Sequence, residues 1–176
     1  MDNKDFPKRK NIRLQKYDYS SNGLYFVTIC TDEKKNLFGR YDVGAIHESP
    51  AKHMKNQCVK LNLYGKIAEN IIQSLPIHFN DVKIENYIIM PNHIHMLISI
   101  NNNIASERAI RESPLQRSLL SKMVGYIKMN ISKEIHKYNP SLNIWQRGYY
   151  DHIIRNQSDF EYHWNYIEYN ALKEYK

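Results

Sequence analysis

The apolar positions change period several times along the chain, and each change predicts an element. Leu24-Tyr25-Phe26-Val27-Thr28-Ile29-Cys30 is rich in aromatic and β-branched residues and predicts a first strand. Residues 39–60 mix Gly, Pro, Asn and charge without a clear period, after which Leu61 to Leu75 carries Ile67, Ile71, Ile72 and Leu75 at helical spacing. Val82 to Met90 and His93 to Ile100 are two apolar segments separated only by Pro91-Asn92, which predicts a tight antiparallel hairpin. A polar stretch from Asn101 to Pro114 predicts a loop. Leu119, Met123, Ile127, Ile131 and Ile135 then mark one side of a long helix. Asn143 to Ile154 predicts a strand interrupted at Gly148. Ser158-Asp159-Phe160-Glu161 has the form of a capping box opening a last helix, whose buried stripe is Phe160, Trp164, Ile167 and Ala171.

The order β, α, β, β, α, β, α predicts an α+β fold: a ferredoxin-like antiparallel sheet with helices on one face, to which a C-terminal helix is added. At 176 residues the chain is one domain, expected over residues 21–176 behind a basic arm in residues 1–20. A formal charge of +7 and a pI of about 9.3 point to a polyanionic partner. Between Pro114 and Tyr150 six basic residues, among them Lys122, Lys128, Lys133 and Arg147, stand against Glu134 alone, which makes this the candidate basic surface. Each is also readable as a solvated charge. Only Cys30 and Cys58 occur, without a Cys-x-x-Cys pair, so zinc ribbons and disulfide scaffolds are excluded and both are expected to be buried thiols. No apolar leader and no run of membrane-spanning length is present, so the expectation is a cytoplasmic protein with no membrane partner.

Strand alternation places His93, His95, Leu97 and Ser99 on one side of the hairpin and Ile94, Met96, Ile98 and Ile100 on the other. The two imidazoles can turn toward one divalent cation, or they can hydrogen-bond to backbone; spacing alone leaves both readings open. The pair fits neither an amidohydrolase barrel, for which the chain is too short, nor a cupin, since no acid follows between Met96 and Asn103. In the last helix Tyr166 lies off the apolar stripe, with Asn170 four residues on and His163 three before. A phenol beside an amide oxygen suits metal-assisted attack on a phosphodiester. Equally, Tyr166 is readable as one of several tyrosines, with Tyr162 and Tyr169, that rim the core.

Three ordered segments change the picture: Leu61-Asn62-Leu63-Tyr64-Gly65-Lys66-Ile67, Met90-Pro91-Asn92-His93-Ile94-His95-Met96-Leu97-Ile98, and Ile144-Trp145-Gln146-Arg147-Gly148-Tyr149-Tyr150-Asp151-His152-Ile153-Ile154-Arg155-Asn156. Together they resemble the single-tyrosine HUH transposases, above all the REP-associated tyrosine transposases, over roughly Leu24 to Asn170. The resemblance implies a single-stranded DNA endonuclease and strand transferase. Carried over by position, His93 and His95 are metal ligands, Tyr166 is the nucleophile, and Asn170 stands where the family has its third, polar metal ligand. The family commonly has Asn-Pro there. This chain has Asn170-Ala171, so its helix is expected to continue.

The resemblance further implies Mg²⁺ or Mn²⁺ as the divalent metal, single-stranded DNA with a stem-loop as partner, and a homodimer as one assembly to consider. Lys122, Lys128, Lys133 and Arg147 would track the DNA backbone and Arg155 would contact phosphate, while Trp145, Tyr149 and Tyr150 offer stacking surfaces of which at least one is expected in the core. Two other functions fit the same residues: a domesticated hairpin-DNA-binding protein without cleavage, and a metal-dependent hydrolase of a small phosphorylated molecule. The last leaves the basic surplus without a role.

Overall fold

In the computed structural model, which describes residues 22–42, 59–101 and 118–174, four strands form one antiparallel sheet. They are β1 (Gly23–Cys30), β4 (Val82–Met90), β5 (His93–Ile100) and β6 (Tyr150–Ile154), in the spatial order β4-β5-β1-β6. That is the ferredoxin-like order, with each sequential pair of parallel strands separated by an antiparallel one. The helices are α1 (Leu63–Gln73), α2 (Leu75–His78), α3 (Leu119–Ile135) and α4 (Gln157–Glu174). Two short strands, β2 (Gly39–Tyr41) and β3 (Val59–Leu61), pair beside the main sheet.

The alternation expected of β5 divides the molecule into two apolar layers. Ile94, Met96, Ile98 and Ile100 are fully buried on the side covered by α1 and α3, with Ala68, Ile72, Met123, Ile127 and Ile131 packed against them. On the opposite side Leu97 joins Ile88, Met90, Ile154 and Val59 beneath α4, which contributes Ile167 fully and Phe160 and Trp164 partly. The fold is therefore as expected, with α4 crossing the face that α1 and α3 leave open.

Several elements differ from the expectation for local reasons. The helix over Leu61 to Leu75 starts two residues later, because the Asn62 side chain accepts from the Gly65 N–H at 3.0 Å and so caps it. It stops at Gln73 because Pro76 has no N–H to continue the ladder and opens α2 instead. Gly65 packs directly on the Phe38 carbonyl, where any Cβ would overlap the oxygen. The strand expected from Asn143 is present only from Tyr150. Before it Trp145 makes a single bridge to Thr31, and Gly148 turns away at φ 78°.

The last helix is capped two residues earlier than the Ser-x-x-Glu pattern suggests: the Asn156 side chain accepts from the Asp159 N–H at 2.9 Å. It also runs through Ala171 to Glu174, as expected from the missing proline. The basic arm, the loop within 102–117 and Cys58 lie outside the described residues. No helix among the described residues is long and apolar enough to cross a membrane.

Candidate active site

β5 starts immediately after the Pro91–Asn92 turn, so its first two outward positions on the α4 side are His93 and His95. Both are almost wholly buried, at 8% and 5% exposure. Their Nε2 atoms converge to 2.9 Å. At a metal with ligand bonds of ~2.1 Å, neighbouring octahedral ligand atoms stand ~3 Å apart, so the two imidazoles fit a shared cation without rearrangement. The outer nitrogens are held as well: His93 Nδ1 lies 2.6 Å from Asn92 Oδ1 and His95 Nδ1 lies 2.8 Å from Thr28 Oγ1. Thr28 reaches His95 because β1 and β5 place the two residues directly opposite each other. Such outer partners fix ring orientation and tautomer in metal sites. Burial holds the His95 imidazole well below its usual value, and the neighbouring His93 and His163 push the same way, so it is neutral and able to offer a lone pair.

Tyr166 stands over this pair. Its ring meets the His95 ring edge-on at 5.2 Å and the Phe26 ring edge-on at 5.8 Å. Phe26 also stacks on His95 at 5.1 Å and meets the tilted His163 ring at 4.6 Å, so one ring touches an imidazole of β5 and two rings of the tyrosine helix. A buried Asn86 on β4 fixes that helix from the other side, donating from Nδ2 to Glu168 Oε1 at 2.8 Å. The result is an open cleft of about 400 Å³ bounded by Tyr166, His93, His95, Thr28, Asn92 and Lys34. Tyr162 and Tyr169 are 65% and 49% exposed and do not line it.

Beside the cleft, His152 on β6 and His163 on α4 stack at 4.7 Å around Asp159. His152 Nε2 is 3.0 Å from both carboxylate oxygens, and the His163 Nδ1–H donates to the Asp159 carbonyl at 2.9 Å. Burial tends to raise the Asp159 carboxyl, but the His152 and Arg155 N–H bonds and the two imidazoles outweigh it and hold it below its ordinary value. The donor atoms of these three residues lie within 4.8 Å of one another. His163 Nδ1 also lies 3.1 Å from Asp159 Oδ1, so the group clamps α4 onto β6.

The other expected residues do not gather at the cleft. Lys122 and Lys133 are exposed on α3, across the sheet from the histidines. Lys128 is turned inward, donating to the Gln146 and Gly148 carbonyls at 2.7 and 2.9 Å with its ammonium 5.7 Å from the Trp145 ring centre. Arg147 is exposed in the loop that Lys128 holds, and Arg155 is exposed at the start of α4. Trp145 packs on the core and donates to the Lys128 carbonyl at 3.0 Å, whereas Tyr150 is 42% exposed. Cys30 is only partly buried and borders the cleft. Asn170 lies on α4 one turn beyond Tyr166, and its side chain lies outside the described residues. Phe26, Thr28, Asn92 and Lys34 are additions that the sequence reading did not single out.

No protein-family model matches the chain. It is 31% identical over 172 residues to an uncharacterised protein of Haemophilus influenzae, covering 93% of this chain and 88% of that one. A second protein of the same organism, provisionally named a REP-associated tyrosine transposase, is 28% identical over 157 residues, covering 89% of this chain and 74% of the other. Among solved structures, a REP-associated tyrosine transposase bound to a REP hairpin superposes over 92% of this chain and 73% of its own, with a TM-score of 0.56 at 17% identity, a likeness of fold. A ferredoxin-like sheet carries the paired histidines on β5 with a tyrosine helix laid over them, and the chain that builds it is similar in sequence to a protein provisionally named a REP-associated tyrosine transposase and in fold to a solved one.

Proposed function

We propose that the protein is a metal-dependent single-stranded DNA endonuclease and strand transferase that cuts beside a stem-loop through a 5′-phosphotyrosine on Tyr166. The observation that carries this reading is the convergence of His93 Nε2 and His95 Nε2 beneath the Tyr166 ring in one open cleft. A free phenol, with a pKa near 10, is ionised to only ~0.1% at neutral pH, so a nucleophilic tyrosine needs positive charge nearby. Mg²⁺ or Mn²⁺ held by His93 and His95, with Asn170 as the third ligand, supplies that charge and Lewis acidity toward a phosphate oxygen.

The protein's own groups do the rest. Phe26 meets the Tyr166 ring edge-on and the Asn86–Glu168 bond docks the helix that carries it, and these contacts would hold the phenol at the cleft. Attack of Oη on phosphorus forms a tyrosyl O–P bond and breaks the P–O3′ bond, leaving a free 3′-OH and a 5′-phosphotyrosine. The bond energy is kept in the adduct, so a 3′-OH from a second DNA end reverses the step on a new partner without ATP.

The test is incubation with single-stranded stem-loop DNA labelled 3′ of the cut, in Mn²⁺, followed by denaturing electrophoresis and mass spectrometry of the trapped peptide. An adduct on Tyr166 that vanishes in Tyr166→Phe and persists in Tyr162→Phe and Tyr169→Phe is expected. An adduct on another tyrosine, or cleavage at the wild-type rate in His95→Ala, would overturn the reading.

A further inference from the structure

Between β1 and β2 the chain makes a short 3-10 turn, Asp32–Lys34, at the mouth of the cleft. Two consecutive residues of this turn, Glu33 and Lys34, have φ of 50° and 54°, the left-handed region in which side chains other than glycine are strained. They are the only non-glycine residues with positive φ among the described residues. The strain is held in place by anchoring. Thr31, fully buried, donates its hydroxyl toward the Lys35 and Asn92 carbonyls, both at 2.8 Å, and its N–H to the Asn92 carbonyl at 3.0 Å. The turn is thereby tied to Asn92, whose side chain holds His93. Phe38 closes the segment with an N–H bond to the Pro91 carbonyl at 2.9 Å.

This anchored turn separates two lysines. Lys35 is neutralised by Glu33 at 2.7 Å and lies 3.8 Å from Asp32. Lys34 lines the cleft and makes no side-chain hydrogen bond or ion pair among the described residues. The other residues lining the cleft are Thr28, Cys30, Asn92, His93, His95 and Tyr166, so it holds no carboxylate to compete for the ammonium. One unpartnered cation, held by strained backbone over a partly buried floor without acids, is the arrangement that draws in a single anionic group.

We infer that Lys34 is the phosphate anchor of this cleft: its ammonium binds a non-bridging oxygen of the DNA phosphodiester presented to Tyr166. This deepens the proposed function and rests on it for the identity of the reacting phosphate. The contact neutralises the ground-state charge on that oxygen and opposes the further charge that develops on it as Oη attacks.

The experiment compares the wild-type protein with Lys34→Gln, Lys34→Gly and Lys34→Arg on single-stranded stem-loop DNA. Lys34→Gly removes the charge while relieving the left-handed backbone, so it is expected to melt no lower than wild type and separates loss of charge from misfolding. In EDTA, affinity is measured against salt. Removing the charge should reduce the slope of log affinity on log salt by about 0.7, the value of one phosphate on a single strand. A neutral methylphosphonate walked along the strand should abolish the difference between wild type and Lys34→Gln at one position only.

In Mn²⁺ at saturating DNA, Lys34→Gln and Lys34→Gly should form the Tyr166 adduct slower by on the order of 10²-fold, with Lys34→Arg recovering most of the rate. A wild-type salt slope in Lys34→Gln, or an unchanged adduct rate at saturation, overturns the anchor. If wild type forms no adduct while the slope and methylphosphonate results hold, the anchor stands and the transferase reading falls.

Discussion

Phe26 is the ring on which the site's geometry converges, and replacing it separates stability from alignment. Phe26→Leu keeps an apolar side chain on β1 but removes the stack on His95 at 5.1 Å, the contact with His163 at 4.6 Å and the edge contact with Tyr166 at 5.8 Å. Aromatic pairs contribute roughly 0.5–1.5 kcal/mol each beyond area, and Phe26 is only partly buried, so the loss should fall near the low end, about 2 kcal/mol in all. For a domain of this length that corresponds to a fall in Tm of about 4–8 °C.

Activity should fall further than stability. A displacement of ~1 Å between nucleophile and phosphate costs on the order of 10²-fold in rate. Circular dichroism melting gives the first quantity, and single-turnover adduct formation at saturating stem-loop DNA gives the second. DNA affinity should change little, since Phe26 carries no charge. If Phe26→Leu melts lower by the expected amount yet forms adduct within twofold of wild type, the ring does not align the site and the reasoning fails.

Asn92→Ala removes the 2.6 Å partner of His93 Nδ1 and should weaken Mn²⁺ binding 10- to 100-fold by titration calorimetry, without a large change in fold; equal affinity would refute the orienting role. Lys128→Met breaks two bonds to the Gln146 and Gly148 carbonyls and should cost about 1–2 kcal/mol by urea unfolding while leaving the salt dependence of DNA binding unchanged, the reverse of what a phosphate contact predicts. Asp159, faced by His152 from β6 and His163 on its own helix, has a carboxyl lowered in the fold, so it stabilises at pH above its unfolded value near 3.9 and loses that contribution as pH falls through the lower folded value. The Tm difference between wild type and Asp159→Asn should therefore be full at pH 6 and shrink below pH 4; a constant difference across that range would count against it.

The parts of the fold that the sequence made legible are those with long, clean periods. The alternation from His93 to Ile100 placed both imidazoles on one face and the helix-covered side chains on the other, as the structure has them. The stripe on α3 was equally readable. β2 and β3 were not, because three-residue strands give no period and the paired residues stand 18 to 22 positions apart in the sequence. Thr28 was out of reach for another reason: it meets His95 only through the β1–β5 register, 67 residues apart in sequence. Tyr166 shows a subtler limit. At about 100° per residue it sits on the flank of the Phe160–Trp164–Ile167 stripe rather than opposite it, with His163 between. An off-stripe position on the helix wheel is thus, in the fold, the edge of the docked surface that overhangs the strand ends.

The histidine pair itself carries a constraint that only the assembled site reveals. Buried polar groups left without partners cost about 1–3 kcal/mol each, so two imidazoles within the sheet face require a full set of partners. The Asn92 amide oxygen can only accept, which makes His93 Nδ1 the protonated nitrogen and turns its Nε2 lone pair toward His95. A direct Nε2···Nε2 hydrogen bond then requires the His95 proton on Nε2 and an O–H from Thr28 donated to Nδ1. A cation shared by both Nε2 atoms requires the opposite His95 tautomer, with Nδ1–H donated to the same Thr28 oxygen. Thr28 is therefore placed where a hydroxyl, both donor and acceptor, can serve either arrangement by rotating its proton. A carbonyl or an amide N–H at that position could serve only one of the two.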